Sequence, residues 1–384
     1  MKINKKIINK IEGEATLKIY GDKVIEFAEI EFWQYRGIEK YLQNRHYMDA
    51  LVINPRVCGI CGHSHLLATA KVIENAFGIK VSKKAEILRE ITTGLEIIQN
   101  HIKWFYVTLY PALIQDKSLI LKSLSITSFI AKIIAVIAGQ FPHNSYIIPG
   151  GVTCDLTNLD ILRVKEDLKK LQEKIDKIID KNGDSNDLER LFEKMDKNIG
   201  KGLNRFLVLG DNLYFKPTGD LTFVKEEKTK SLSKNALYKD EFFEVGPLAR
   251  NLHHPLIKSV YENYQDSVYT RIFARLYEMH LILEKILNEI DKIDMCEPSF
   301  IDYTPRNSEG KIAIEAPRGS LIHSIEISDE KIKEYNIIVP TQFNLSNSTK
   351  EKPSPAQAAL IKEDIKWSDF IFKCFDVCAV CNTH

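Results

Sequence analysis

Four of the chain's seven cysteines fall into two Cys-x-x-Cys pairs, Cys58-Gly59-Ile60-Cys61 and Cys378-Ala379-Val380-Cys381. Positions i and i+3 put both thiolates of a pair on one side of a turn, which suits a shared metal ion, and four thiolates favour zinc, iron or nickel. A structural zinc module is the ordinary reading of such pairs, but its pairs stand about 15–20 residues apart. Here they stand at opposite ends of a 384-residue chain. A site joining the two ends of a large body does not staple a small fold; it defines a buried centre. His384 follows Cys381 by three residues. Chain ends ordinarily fray, so a histidine beside two metal-capable thiols predicts a tail tucked inside with its end bound.

The elements that must bring these pairs together belong to an ordinary globular chain, 44% hydrophobic and 27% charged. A body this long buries about three quarters of its unfolded surface and needs neither disulfides nor a zinc staple to fold. Lys+Arg 53 against Asp+Glu 52 leave a charge of +1, which gives no basic excess for nucleic acid or an anionic membrane. No uninterrupted apolar run reaches about 18 residues, so no transmembrane segment is expected. Met1 to Lys6 is basic but lacks the apolar core of a secretory signal.

Ala15–Tyr20, a Gly21-Asp22 turn and Val24–Phe32 predict a hairpin with Val24, Ala28, Ile30 and Phe32 on one face. Helices follow from Ile87, Ile91, Leu95, Ile98 and Ile102, from the apolar run Phe129–Ala138, from Ile161 to Ile178 behind a Thr157-Asn158 cap, and from Ile272 to Ile290. Lys181–Asn186 reads as an exposed helix–helix loop, and short strands are expected at 206–209, 221–224 and 311–327. The expected fold is α+β but predominantly α: one body over 1–384, with an N-terminal hairpin at 14–33, a helical core over about 60–300, peripheral hairpins and a metal-binding tail at 370–384.

The two cysteine motifs near opposite ends, with the terminal histidine, resemble the large, catalytic subunit of [NiFe]-hydrogenases. Further pieces match along nearly the whole chain: Ile11-Glu12-Gly13, Arg36-Gly37-Ile38-Glu39, Phe141-Pro142-His143 with Pro149-Gly150-Gly151, Glu315-Ala316-Pro317-Arg318-Gly319 and Val339-Pro340-Thr341. Each motif is weak alone, but six in the right order are specific. The resemblance implies the corresponding fold and a catalytic subunit that splits or forms H2 heterolytically. Its nickel would be held terminally by Cys58 and Cys378 and bridged by Cys61 and Cys381 to an iron carrying carbon monoxide and cyanide.

The resemblance also implies roles for other residues. Cys378 is the expected first proton acceptor and Glu12 the next, although alone Glu12 reads as a solvated residue or a cap. Arg318 is expected over the metals, with Pro317 and Thr341 binding the cyanide nitrogens; the plain alternative for Arg318 is an ion pair with Glu315. Glu39, His384 and the backbone carbonyl near Ile337 would hold a second metal, magnesium or iron. His65 is expected to hydrogen-bond a cysteine sulfur, His101 to be a core histidine, His63 to have no assigned role and His143 to face a partner. Cys154, Cys296 and Cys374 read as buried or free thiols. Two departures stand out: Val377 replaces a proline, which frees the approach to Cys378, and Asn100 replaces a carboxylate.

The partners implied are an iron–sulfur small subunit and further electron-transfer subunits, with H2 and protons as substrates. Location is expected in the cytoplasm or at a membrane through those subunits. The resemblance also implies removal of a C-terminal extension after His384. An H2 sensor on the same centre is the alternative function. A metal-free relative, such as the corresponding subunit of respiratory complex I, is disfavoured by retention of all four cysteines, and a zinc protein by their placement.

Overall fold

A computed structural model describes residues 3–10 and 13–384 of the chain, so Glu12 lies outside the described residues. Alternating apolar and charged residues form a three-stranded antiparallel sheet at the N-terminus: β1 (Ile3–Lys10), β2 (Gly13–Gly21) and β3 (Ile25–Glu31). The expected hairpin is its second half. Ala28, Ile30 and Phe32 face the core as expected, but Val24 is 50% exposed and Ile25 is buried instead. The cause is an extra residue. Tyr20 pairs with Phe27 and Gly21 with Ile25, so Glu26 bulges out and shifts the inside–outside alternation by one.

Five long helices build the body. They are α1 (Gly62–Phe77), α2 (Lys83–Lys103), α3 (Lys117–Ala138), α4 (Asn158–Ile175) and α5 (Val268–Glu289). Side chains of Ser82, Asp116, Thr157 and Ser267 cap the last four, and Asp160 closes a capping box with Thr157. The stripe Ile87, Ile91, Leu95, Ile98 and Ile102 is buried throughout, and α2 packs between α1, α3 and α5. Beyond Lys103 it continues as a π-helical turn, Trp104–Leu109.

The expected helix at 129–138 is the second half of α3, which is long and apolar enough to cross a membrane by length and composition although short polar residues interrupt it. Ile126, Ile130, Ile133, Ile134 and Ile137 face the protein interior, and Ile120, Leu121 and Leu124 face outward.

A second antiparallel sheet contains β4 (Ser308–Ala316), β5 (Gly319–Ser328) and β6 (Lys331–Ile338), with β5 central. The expected strand at 311–327 is thus a hairpin, and β4 lies against α1. Residues 206–209 form only an isolated bridge from Phe206 to Glu244. At 221–224 a short 3₁₀ turn, capped by Asp220, leads into the strand Val224–Lys228.

Ala316 pairs with Gly319, so Pro317 and Arg318 are the two turn residues at the tip of the β4–β5 hairpin. Gly319 has φ +129, and a Cβ there would lie 2.7 Å from Gly246 N. Only glycine suits that position. Gly319→Ala is expected to cost about 2–3 kcal/mol from strain and overlap, read as a lower denaturation midpoint, and to displace Arg318.

Candidate metal centre

Each cysteine pair sits where backbone geometry changes. Cys58 ends the 3₁₀ turn Asn54–Val57, and Cys61 precedes the first residue of α1. A Cβ on Gly62 would come 2.6 Å from Pro55 O, so glycine lets the helix start close against the turn. Cys61 N donates to Cys58 Sγ at 3.3 Å. Cys378 precedes the single helical turn Ala379–Asn382, and Cys381 lies within it.

The two segments are clasped by Arg36, whose guanidinium donates to Arg56 O, Val57 O and Val380 O at 2.9, 2.5 and 2.5 Å. Its backbone N–H donates to Thr383 O, and Asn100 Nδ2 donates to Ile60 O at 2.8 Å. As a result the sulfurs from both chain ends converge. Cys58 Sγ lies 3.7 Å from Cys378 Sγ, and Cys378 Sγ lies 2.8 Å from Cys381 Sγ. The sulfurs of Cys58, Cys61 and Cys381 all lie within 4.8 Å of one another.

All four thiols are buried and none is oxidised to a disulfide. Burial pushes the Cys58 thiol up, but hydrogen bonds from Cys378, Cys381 and Cys61 and the charge of Arg318 outweigh it and hold it well below the usual range. Cys61 is pushed well up, first by Cys378, and Cys381 well up, first by burial. The protein alone therefore favours the thiolate at Cys58 but not at Cys61 or Cys381. A set of sulfurs this close, with so little positive charge of its own, fits a cationic soft-metal centre.

Arg318 is the fixed cation whose charge acts on these sulfurs. Its Nε donates to Asp376 O at 2.9 Å and its Nη2 to Asp376 Oδ1 at 3.2 Å, whereas buried Nη1 has no protein partner. Asp376 sits at φ +52, a conformation that Asp tolerates better than most residues, and also pairs with Arg275 at 2.8 Å. The alternative pairing of Arg318 with Glu315 is corrected by this geometry. Glu315 instead accepts from Arg250 at 3.3 Å and Ser320 at 2.5 Å. Cys61, His65, Pro317, Arg318, Thr341, Cys378 and Cys381 line one cavity. A second, mostly apolar cavity of about 230 Å³ is lined by Ile60, Trp104, Val107, Ile120 and Leu124 together with Arg318 and Asp376.

Glu39 and His384 come together as well, with His384 Nε2 3.4 Å from Glu39 Oε1. Ile337 N–H donates to the same carboxylate at 2.8 Å. Burial raises the Glu39 carboxyl, but His384 and the Ile337 N–H bring it below its usual value. His384 Nδ1 lies 2.6 Å from Cys381 O and the residue is buried.

His65 is buried with Nδ1 3.2 Å from His323 Nε2. His101 is a core histidine, 2.7 Å from Glu278, which also holds Arg250. His143 is exposed, and His63 packs on Tyr146.

Several residues here went unread in the sequence: Arg275, Glu278, His323, Tyr335 and Glu96. For α5 a signal existed, since Arg271, Arg275 and Glu278 recur at i, i+4 and i+7 beside an apolar stripe, as expected of a helix buried nearly all round. Glu96 caps the start of α1 from α2, accepting from His63 N and Ser64 N, both at 2.9 Å, and from Ser64 Oγ at 2.5 Å. Burial pushes its carboxyl up to about 7 in spite of those donors.

A carboxyl raised from 4.5 to about 7 stabilises the fold fully below pH 4.5 and loses that contribution, about 3 kcal/mol, as pH rises through 7. Buried His63, His65 and His101, lowered to about 4, act in the opposite sense. The comparison with Glu96→Gln isolates the one group: the parent should lose stability relative to the variant between pH 5 and 8.

Comparison with known proteins places this geometry. A family profile described as nickel-dependent hydrogenase matches residues 36–110 and 212–384. The coenzyme F420 hydrogenase subunit alpha of Methanothermobacter thermautotrophicus is 28% identical over 372 residues, covering 91% of this chain and 85% of that protein. The sulfhydrogenase 2 subunit alpha of Pyrococcus furiosus is 24% identical, covering 98% and 97%. Among solved structures, the Ni-Fe-Se hydrogenase from D. vulgaris Hildenborough superposes with a TM-score of 0.88 at 22% identity, covering 100% of both chains.

Proposed function

The chain belongs to the nickel-dependent hydrogenase family, and on that premise we propose that it is the catalytic subunit in which Cys58, Cys61, Cys378 and Cys381 hold a nickel–iron pair. The observation that carries this reading is the convergence of four buried, unoxidised sulfurs from opposite chain ends. When bound, the metal pair supplies the redox-active Lewis-acidic centre needed to split or form H2 heterolytically.

This chain's own residues then manage the proton, the ligands and access. Cys378 Sγ takes the first proton and Glu12 receives it. In support, Gly13, next to Glu12 in sequence, packs against Val380 and Ala379 between the two cysteines. Arg318 Nη1, buried without a protein acceptor, would donate to cyanide on the iron, with the Thr341 hydroxyl as a second donor and Pro317, which has no N–H, shaping the same cavity around the ligand. The cavity of about 230 Å³ beside Arg318 presents mostly apolar surface between polar residues such as Asn100, Lys103 and Thr127, and is offered as a route for H2.

Glu39 and His384, already 3.4 Å apart, would hold magnesium or iron as a second site, one oxygen and one imidazole leaving room for waters. The backbone carbonyl near Ile337 would be a third ligand, a reading supported by Ile337 standing beside Glu39, to which its N–H donates. Electrons would leave through an iron–sulfur small subunit. Among the described residues there is no second cluster of ligands on this chain to carry them.

Infrared spectroscopy of the purified complex, with nickel and iron counted per chain, tests the reading. Metal-bound carbonyl and cyanide bands with nickel and iron in equal amounts are expected. Zinc alone, or no such bands, overturns it. Fast H2 turnover is also expected; bands with negligible turnover would mark a sensor.

A further inference from the structure

Arg36 stands on the surface, yet its side chain reaches the backbone just ahead of a cysteine in each pair. One nitrogen, Nη2, donates to Val57 O and Val380 O, both at 2.5 Å, and these residues precede Cys58 and Cys381. Nη1 donates to Arg56 O at 2.9 Å, and the Arg36 backbone N–H donates to Thr383 O at 3.2 Å. Gly37 then leads into the short helix Ile38–Leu42, whose first turn carries Glu39 to within 3.4 Å of His384.

Little else holds the tail. Among the described residues, and apart from contacts between sulfurs, every hydrogen bond or ion pair from residues 377–384 to the rest of the chain ends on Arg36 or Glu39. The segment's other bonds close on itself: Asn382 N–H to Cys378 O, Thr383 Oγ1 to Ala379 O, and His384 Nδ1 with Cys381 O. Val377 and Val380 are its largest aliphatic side chains, so apolar burial anchors it weakly. Asn382 Oδ1 is buried with no partner among the described residues, which costs the docked state free energy. Just upstream, Asp376 is fixed by Arg275 and Arg318 at φ +52. Residues 377–384 thus form a flap that carries Cys378, Cys381 and His384, hinged at Asp376 and fastened at its far side.

Two carbonyls that share one nitrogen bring their negative ends close together. A guanidinium offsets that repulsion with charge-assisted bonds in a fixed fork, which the point charge of an ammonium does not reproduce.

We propose that Arg36 is a positioning residue, the catch that shuts residues 377–384 against the first cysteine motif and so brings the four sulfurs together. Closing the catch needs no metal. The proposal rests on the proposed function only for what the closed sulfurs hold.

Alkylation by iodoacetamide, followed peptide by peptide in the reduced, metal-free full chain, reads the catch. In Arg36→Ala, Cys58, Cys61, Cys378 and Cys381 should react at least about tenfold faster than in the parent, because an open flap uncovers all of them. Cys374, buried just before the hinge, should keep its slow rate. Free guanidinium at millimolar concentration should slow the four again, and methylammonium at the same concentration should not. Unchanged rates in Arg36→Ala, a parallel rise at Cys374, or guanidinium no better than methylammonium overturns the proposal. Arg36→Lys keeps the charge and should react at a rate between the other two; a rate equal to the parent's also overturns it.

Nickel and iron counts on the purified complex separate the two readings. Slow parent thiols and fast Arg36→Ala thiols in a protein that holds zinc alone keep the catch and remove the proposed function. Nickel and iron in equal amounts, with Arg36→Ala thiols as slow as the parent's, do the reverse.

Discussion

Cys58→Ser is expected to lower nickel content below one tenth of the parent's and to reduce H2 turnover by at least about 10³-fold, equivalent to about 4 kcal/mol, while the chain still folds. The reason is ligand chemistry. A serine hydroxyl remains protonated near neutrality and is a hard, weak donor where a soft thiolate is needed. Folding is separable because the loop is held by other contacts: Arg36 to Val57 O and Val380 O, and Asn100 to Ile60 O. The remaining cost is one buried hydroxyl, about 1–3 kcal/mol. Circular dichroism and metal analysis of the same preparation check both halves. A variant that keeps full nickel and turnover would remove Cys58 from the centre.

What was legible in the sequence follows from how local each signal is. The cysteine pairs are readable because two soft ligands at i and i+3 need only a turn to converge. The long helices are readable because Ile87 to Ile102 repeat at helical spacing with a serine cap ahead of them. The N-terminal strand face was misread at Val24 because the Glu26 bulge depends on how β2 meets β3, not on either strand alone.

The same distinction applies within the site. Asp376 stands two residues before Cys378, yet its pairing with Arg318 and Arg275 depends on where the β4–β5 hairpin tip meets α5 and the tail. Arg36 is part of a recognisable motif, but its role as a clasp appears only when Val57 and Val380 carbonyls are side by side. The His65–His323–Tyr335 row joins α1 to two strands far along the chain. Its only precursor in sequence is the alternation of His323 and Ile325 on a buried strand, which any core strand shares.

Arg318→Lys is expected to lower H2 turnover by about 10²–10³-fold, the range for removing one oriented donor from a preorganised site, with nickel still bound. Charge is not what the substitution removes; geometry is. The guanidinium spends Nε and Nη2 on Asp376 and keeps Nη1 for the cavity. A lysine ammonium has three donors on one atom and cannot hold Asp376 and reach past it at once. Asp376 keeps Arg275 as a partner at 2.8 Å, so the variant avoids the 3–5 kcal/mol penalty of stranding a buried charge and should fold. The expected signature is therefore a large loss of turnover with unchanged nickel and iron and shifted cyanide stretches. If turnover fell while the cyanide bands stayed in place, Arg318 would act on the proton or on Asp376 and not on the iron's ligands. If nickel were lost as well, its role would be to hold the hairpin tip against the tail.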